Sequence, residues 1–134
     1  MSDRPNYLTE HRYSPKSLGI DPTPGSHPYG SPERIYTEAF KAADTKVVYT
    51  FTEHGGDPSF CGIVWITIKP ARGEFVAWCK RKSIGYAGTY GGWTIGLPCS
   101  YDGQALAIKE AAAKAFVEVL REHEITAQIG TRID

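Results

Sequence analysis

The chain has 134 residues, 41% of them hydrophobic and 22% charged, enough for one domain with a real core and outside the ranges of disordered or fibrous sequences. Lys plus Arg and Asp plus Glu number 15 each, so overall charge by itself points to neither an acidic nor a basic partner. No apolar run approaches the roughly 20 residues that cross a bilayer, and the expectation is a soluble, cytoplasmic protein with no membrane association.

Residues 1–30, rich in Pro, Gly, Ser and Tyr, show no sustained period and read as an extended arm preceding a single domain over 31–134. Tyr7, Leu8, Tyr13, Leu18, Ile20 and Tyr29 are its scattered apolar residues, suited to lying along a surface. Ser31 as cap, Pro32 in the first turn and Glu33 at the positive helix end predict a helix, and Tyr36, Ala39, Phe40 and Ala43 carry it to about Ala43. It is read as short.

Four strands are expected next. Lys46 to Glu53 alternates Val47, Tyr49 and Phe51 with Val48, Thr50 and Thr52. Cys61 to Lys69 is rich in Ile, Val, Trp and Thr, and the turn Pro70 to Gly73 leads to Glu74 to Lys82 as an antiparallel hairpin partner. The glycine loop 85–92 then precedes Trp93 to Leu97. From a cap at Ser100 or Asp102, the residues Ala105, Ile108, Ala112, Ala115, Phe116 and Val119 form an apolar stripe, which predicts a long helix covering one face of the sheet. Ile125, Ala127 and Ile129 allow a last edge strand. The fold class is therefore α+β: an antiparallel sheet of about four strands, with a short N-terminal and a long C-terminal helix on one face.

Charge is unevenly distributed. Residues 69–101 hold five basic side chains and one acidic, while both flanking blocks are acidic on balance. Strand parity places Val64, Ile66 and Ile68 in the core and turns Trp65, Thr67 and Lys69 the other way. The same argument buries Phe75, Ala77 and Cys79 and exposes Trp78, Lys80 and Lys82. Ammonium groups beside indole rings match the chemistry of single-stranded nucleic acid, where cations meet phosphates and flat rings stack on bases. The candidate contacts are Trp65, Lys69, Arg72, Trp78, Lys80, Arg81 and Lys82, with Tyr86 and Tyr90 from the glycine loop. The competing expectation is a protein target, docked through the arm and the aromatic face. A homodimer is expected in either case.

No catalytic, cofactor or metal residues are assigned. His11, His27, His54 and His123 lack metal-ligand spacing to cysteine, and the loop glycines fit neither the P-loop nor the dinucleotide fingerprint. Cys61, Cys79 and Cys99 form no CxxC pair. Cys99, ahead of the long helix, would be a reactive thiol only if the helix terminus lowered its pKa, and the stronger expectation is a buried structural cysteine. The stretch Glu110 to Ala115 is similar to the final helix of double-stranded-RNA-binding domains, whose clustered lysines correspond here to Gln104, Ala105 and Leu106. The overall order of elements resembles the sheet-and-helix PUR and Whirly families, which implies single-strand binding on the sheet.

Overall fold

The computed structural model describes residues 13–53, 60–88 and 90–133; Tyr7, Leu8, His11 and His54 lie outside them. Seven elements follow in order: α1 (Pro32–Glu53), β1 (Gly62–Ile68), α2 (Glu74–Arg81), β2 (Tyr86–Ala87), β3 (Trp93–Gly96), α3 (Leu106–Glu122) and β4 (Ala127–Ile133). The four strands form one antiparallel sheet in the order β2-β3-β1-β4. The α+β class holds, but the membership of both layers differs from expectation in two places.

The first difference is α1. The Ser31 hydroxyl accepts the Arg34 N–H at 3.3 Å and Pro32 occupies the first turn, as the capping signals require. The helix then runs 22 residues, through Lys46 to Glu53, which was expected to be a strand. Val47 and Thr50 extend the buried stripe of Tyr36, Ala39, Phe40 and Ala43 at helical spacing. No Gly or Pro interrupts the chain before Glu53, and adding a turn to an existing helix needs no new nucleus. α1 thereby packs against α3, the most extensive contact between elements.

The second difference is α2, where Glu74 to Lys82 was expected to pair with β1. Phe75, Val76, Trp78 and Cys79 are all buried while Ala77 is exposed, a helical set that alternation cannot produce. Glu74 sits at the positive helix end and Lys80 and Arg81 in the last turn, each favoured by the helix dipole. β1 pairs instead with β3 and with β4, Trp65 standing opposite Gly96 on one side and Gly130 on the other.

The parity expected of β1 is observed: Val64, Ile66 and Ile68 are buried, and Trp65 and Thr67 lie on the opposite face. α3 begins at Leu106 rather than near Ser100, with Ala105 as its cap and no side-chain capping bond. Its buried stripe is Ile108, Ala112, Phe116 and Leu120 flanked by Ala113 and Val117, which lies against β1 and β4. At the end of the sheet, Asp44 of α1 accepts the Ser100 backbone N–H at 2.6 Å and its hydroxyl at 2.7 Å, tying the two layers together.

The described part of the leading segment is folded onto the domain rather than extended. Ser14, Pro15 and Ile20 are buried, the turn is closed by the Ile20 N–H donating to the Pro15 carbonyl at 2.8 Å, and the Tyr36 hydroxyl donates to the Tyr13 carbonyl at 2.6 Å. Burial pushes the Tyr36 pKa upward. Ile20 belongs to the core that Tyr36 and Phe40 begin.

Candidate nucleic-acid interface

The helices cover one face of the sheet, and among the described residues nothing covers the other. Cross-strand partners share a face in an antiparallel ladder, so the register assembles that surface. β1 supplies Ile63, Trp65 and Thr67, β4 supplies Gln128, Gly130 and Arg132, β3 supplies Thr94 and Gly96, and β2 supplies Tyr86. A groove of about 420 Å³ runs across it, lined by Trp65, Thr67, Lys69, Tyr86, Tyr90, Thr94 and Gln128 together with loop and strand glycines.

The loop between β2 and β3 forms one wall. Gly88 donates its N–H to the Gly92 carbonyl at 3.1 Å, and Gly92 takes a φ of 80°, open to glycine at no steric cost. A Cβ at Gly92 would stand 2.8 Å from Lys69 Cγ and 2.9 Å from Thr67 Cγ2, so the absent side chain is what lets the loop descend onto the sheet. Tyr86 and Tyr90 remain 62% and 89% exposed, each presenting a ring to solvent beside the groove. Thr89 lies outside the described residues.

Trp65 is the half-buried floor. Both of its cross-strand neighbours are glycine; the indole lies over Gly130, where a Cβ would overlap Trp65 Cε2 and Nε1, while nothing stands within 4 Å of a Cβ at Gly96. One flank of the ring is thus occupied by backbone and the other is open among the described residues. Lys69 and Arg132 are the cations of this face, and the strand residues that compose it include no carboxylate.

Of the sequence-predicted contacts, Trp65, Lys69, Tyr86 and Tyr90 are brought together here. Trp78 is a correction: it is 1% exposed, with its ring 5.3 Å from that of Tyr36 and 5.9 Å from that of Phe75. It lies in the helix layer because α2 is a helix. Lys80, Arg81 and Lys82 go with α2; they are exposed, and Lys80 Nζ stands 5.3 Å over the Trp93 ring, away from the groove. Arg72 is exposed in the turn leading to α2 and is not among the groove residues. Gln128, Gly130 and Arg132 were not singled out, although continuing the alternation of Ala127 and Ile129 would have turned all three outward.

Cys99 is buried, and burial pushes its thiol up to about 12; the same cause raises Cys79 to about 12. A lowered Cys99 pKa is therefore overturned, since α3 starts seven residues further on and desolvation disfavours the thiolate. Among the described residues, no three His, Cys, Asp or Glu side chains gather as metal ligands, and no helix is long and apolar enough to cross a membrane. Compared with protein-family models, curated proteins and solved structures, the chain matches none.

Proposed function

We propose that the bare sheet face binds single-stranded nucleic acid, with Trp65, Tyr86 and Tyr90 stacking on bases and Lys69 and Arg132 meeting phosphates. The observation that carries this reading is the groove itself: three aromatic side chains and a lysine around an open sheet surface without a carboxylate in its strands. Stacking on each ring contributes roughly 1–3 kcal/mol and tolerates any base, while Thr67, Thr94 and Gln128 offer polar groups along the floor. A duplex buries its base faces and presents phosphates alone, which two cations on this face serve poorly.

In this reading the protein is a cytoplasmic, non-enzymatic binder that works as a homodimer. Lys80, Arg81, Lys82 and Arg72 play no part in contact. The competing use of the leading segment to dock on a protein is disfavoured by Tyr13 to Ile20 being engaged with the chain's own core.

Fluorescence anisotropy with short single-stranded and duplex DNA and RNA, at two salt concentrations, tests the reading. Single strands should bind at low salt, weaken as salt rises, and outcompete duplexes. Absence of binding to any oligonucleotide at low salt overturns it and leaves the aromatic face to a protein partner.

A further inference from the structure

The two edges of the sheet are built differently. β2 is two residues long, whereas β4 runs seven residues with no proline and one charged side chain, Arg132. Exposed edges are ordinarily blunted by short strands, prolines, charges or a covering element, because unpaired N–H and C=O groups template further pairing. The β2 edge follows this rule, and among the described residues the β4 edge does not.

The direction of the free backbone groups on β4 follows from the ladder. One step past the Ile68–Ala127 pair, the Lys69 N–H donates to the Thr126 carbonyl at 3.1 Å. Bonded and non-bonded pairs alternate in antiparallel sheets, so Gln128, Gly130 and Arg132 turn their backbone groups toward β1. Ala127, Ile129, Thr131 and Ile133 turn theirs outward. Two further bonds agree with that parity. The Gly62 N–H points away from β4 to the Gln104 carbonyl at 3.1 Å, and the Ala127 carbonyl accepts from Arg121 at 2.9 Å. Arg121 thus closes the first outward position and leaves Ile129, Thr131 and Ile133 as the pairing edge.

We propose that a second copy of this chain pairs on this edge, β4 against β4 in antiparallel orientation, about a twofold axis at Thr131. In that register Thr131 meets its own copy and Ile129 meets Ile133 of the other chain, twice by symmetry. Every outward-facing residue left by Arg121 is used, and the Arg121 bond is kept. Ile133, 66% exposed on the helix side of the strand, gains cover from Ile129. Arg132 stands opposite Gly130 of the other copy, beside the indole that lies on it, rather than opposite a like charge. A register centred on Gly130 would instead require the Ala127 carbonyl and displace Arg121. Because a twofold axis of this kind is perpendicular to the sheet, the two bare faces point the same way and join into one eight-stranded surface. The pairing stands on edge geometry alone and does not depend on what the face binds.

Light scattering on the full chain after size exclusion should give twice the 14.8 kDa of one chain. By NMR hydrogen exchange, the Ile129, Thr131 and Ile133 amides should gain protection as protein concentration rises, with Gln128 and Gly130 protected throughout by their bonds to β1. Ile133→Lys, at an exposed position, should keep the circular dichroism of the parent and weaken self-association by at least about tenfold. A monomer mass at all concentrations overturns the proposal. So does a dimer whose association Ile133→Lys leaves unchanged.

Discussion

The indole of Trp65 occupies the space that any side chain at Gly130 would need, and the glycine across the sheet from it, Gly96, leaves its other flank open. A single ring is thus held by backbone on one side and offered on the other. Substituting the two glycines should therefore have opposite consequences. Gly130→Ala forces the indole from its seat, at a cost of about 1–3 kcal/mol in stability, and shifts tryptophan emission. A Cβ at Gly96 meets no described atom within 4 Å and threonine favours strand backbone, so in Gly96→Thr thermal stability should hold or rise while oligonucleotide affinity falls. Paired thermal denaturation and anisotropy measurements separate the two effects.

The charge assignment is open to a direct comparison. Lys69→Ala and Arg132→Ala should each weaken single-strand binding and reduce the salt dependence of log K by roughly one phosphate contact. A Lys80→Ala, Lys82→Ala double variant should leave both unchanged, since those side chains stand on the helix side with α2. Loss of binding in the double variant would move the interface to α2.

Trp65→Ala should lower affinity by roughly 1–3 kcal/mol, and Tyr86→Ala by a similar amount, with little change in melting temperature for Tyr86→Ala because that ring is largely exposed. Isothermal titration beside thermal unfolding distinguishes a lost stacking partner from a damaged fold.

Much of this surface was readable before any coordinates. The β1 parity, the apolar stripe of α3 and the alternation in β4 each have one period that fits and one that does not. The segments 46–53 and 74–82 offered no such discrimination. Val47 and Phe51, like Phe75 and Cys79, are four apart, and a spacing of four is both one helical turn and an even number of strand steps. Only their neighbours decide, and those decide through burial: Val76 and Trp78 are buried beside Phe75 and Cys79 because α1, through Tyr36, and the rest of the core supply a surface for them. That surface is assembled from residues far away in the chain, which no local period reports. Trp65, Lys69, Tyr86 and Tyr90 were legible since they depend on β1 and its loop; Trp78 and Lys80 to Lys82 were misplaced together, as one consequence of reading α2 as a strand.

The unpartnered N–H of Trp78 makes a further prediction. Its Nε1 is buried with no hydrogen-bond partner among the described residues, a state that costs about 1–3 kcal/mol. Trp78→Phe removes that group along with part of the ring, so it should destabilise far less than Trp78→Ala, for which roughly 3–5 kcal/mol is expected. Chemical denaturation of the two variants gives the difference.

Alkaline pH should unfold the protein through its interior thiols. Burial raises Cys79 and Cys99 from the ordinary 9.0 to about 12, so between those values the unfolded chain has released protons that the folded chain retains. Stability is then full below about pH 9 and declines above it, at up to roughly 1.4 kcal/mol per thiol per pH unit. Denaturant midpoints measured across this range should fall, and Cys99→Ser should flatten the decline. Thiol labelling of the native protein with a membrane-impermeant maleimide should meanwhile modify Cys61, the exposed cysteine, before the two buried ones.

The burial of Ile20 in the core, with Tyr36 holding the chain at Tyr13, bears on how shortened versions would behave. A protein begun at residue 31 starts at a clean helix cap yet loses a plug from its interior. Clumping or failed expression of such a fragment would report an unstoppered core, and deletion mapping of any partner should keep the chain from Tyr13 onward.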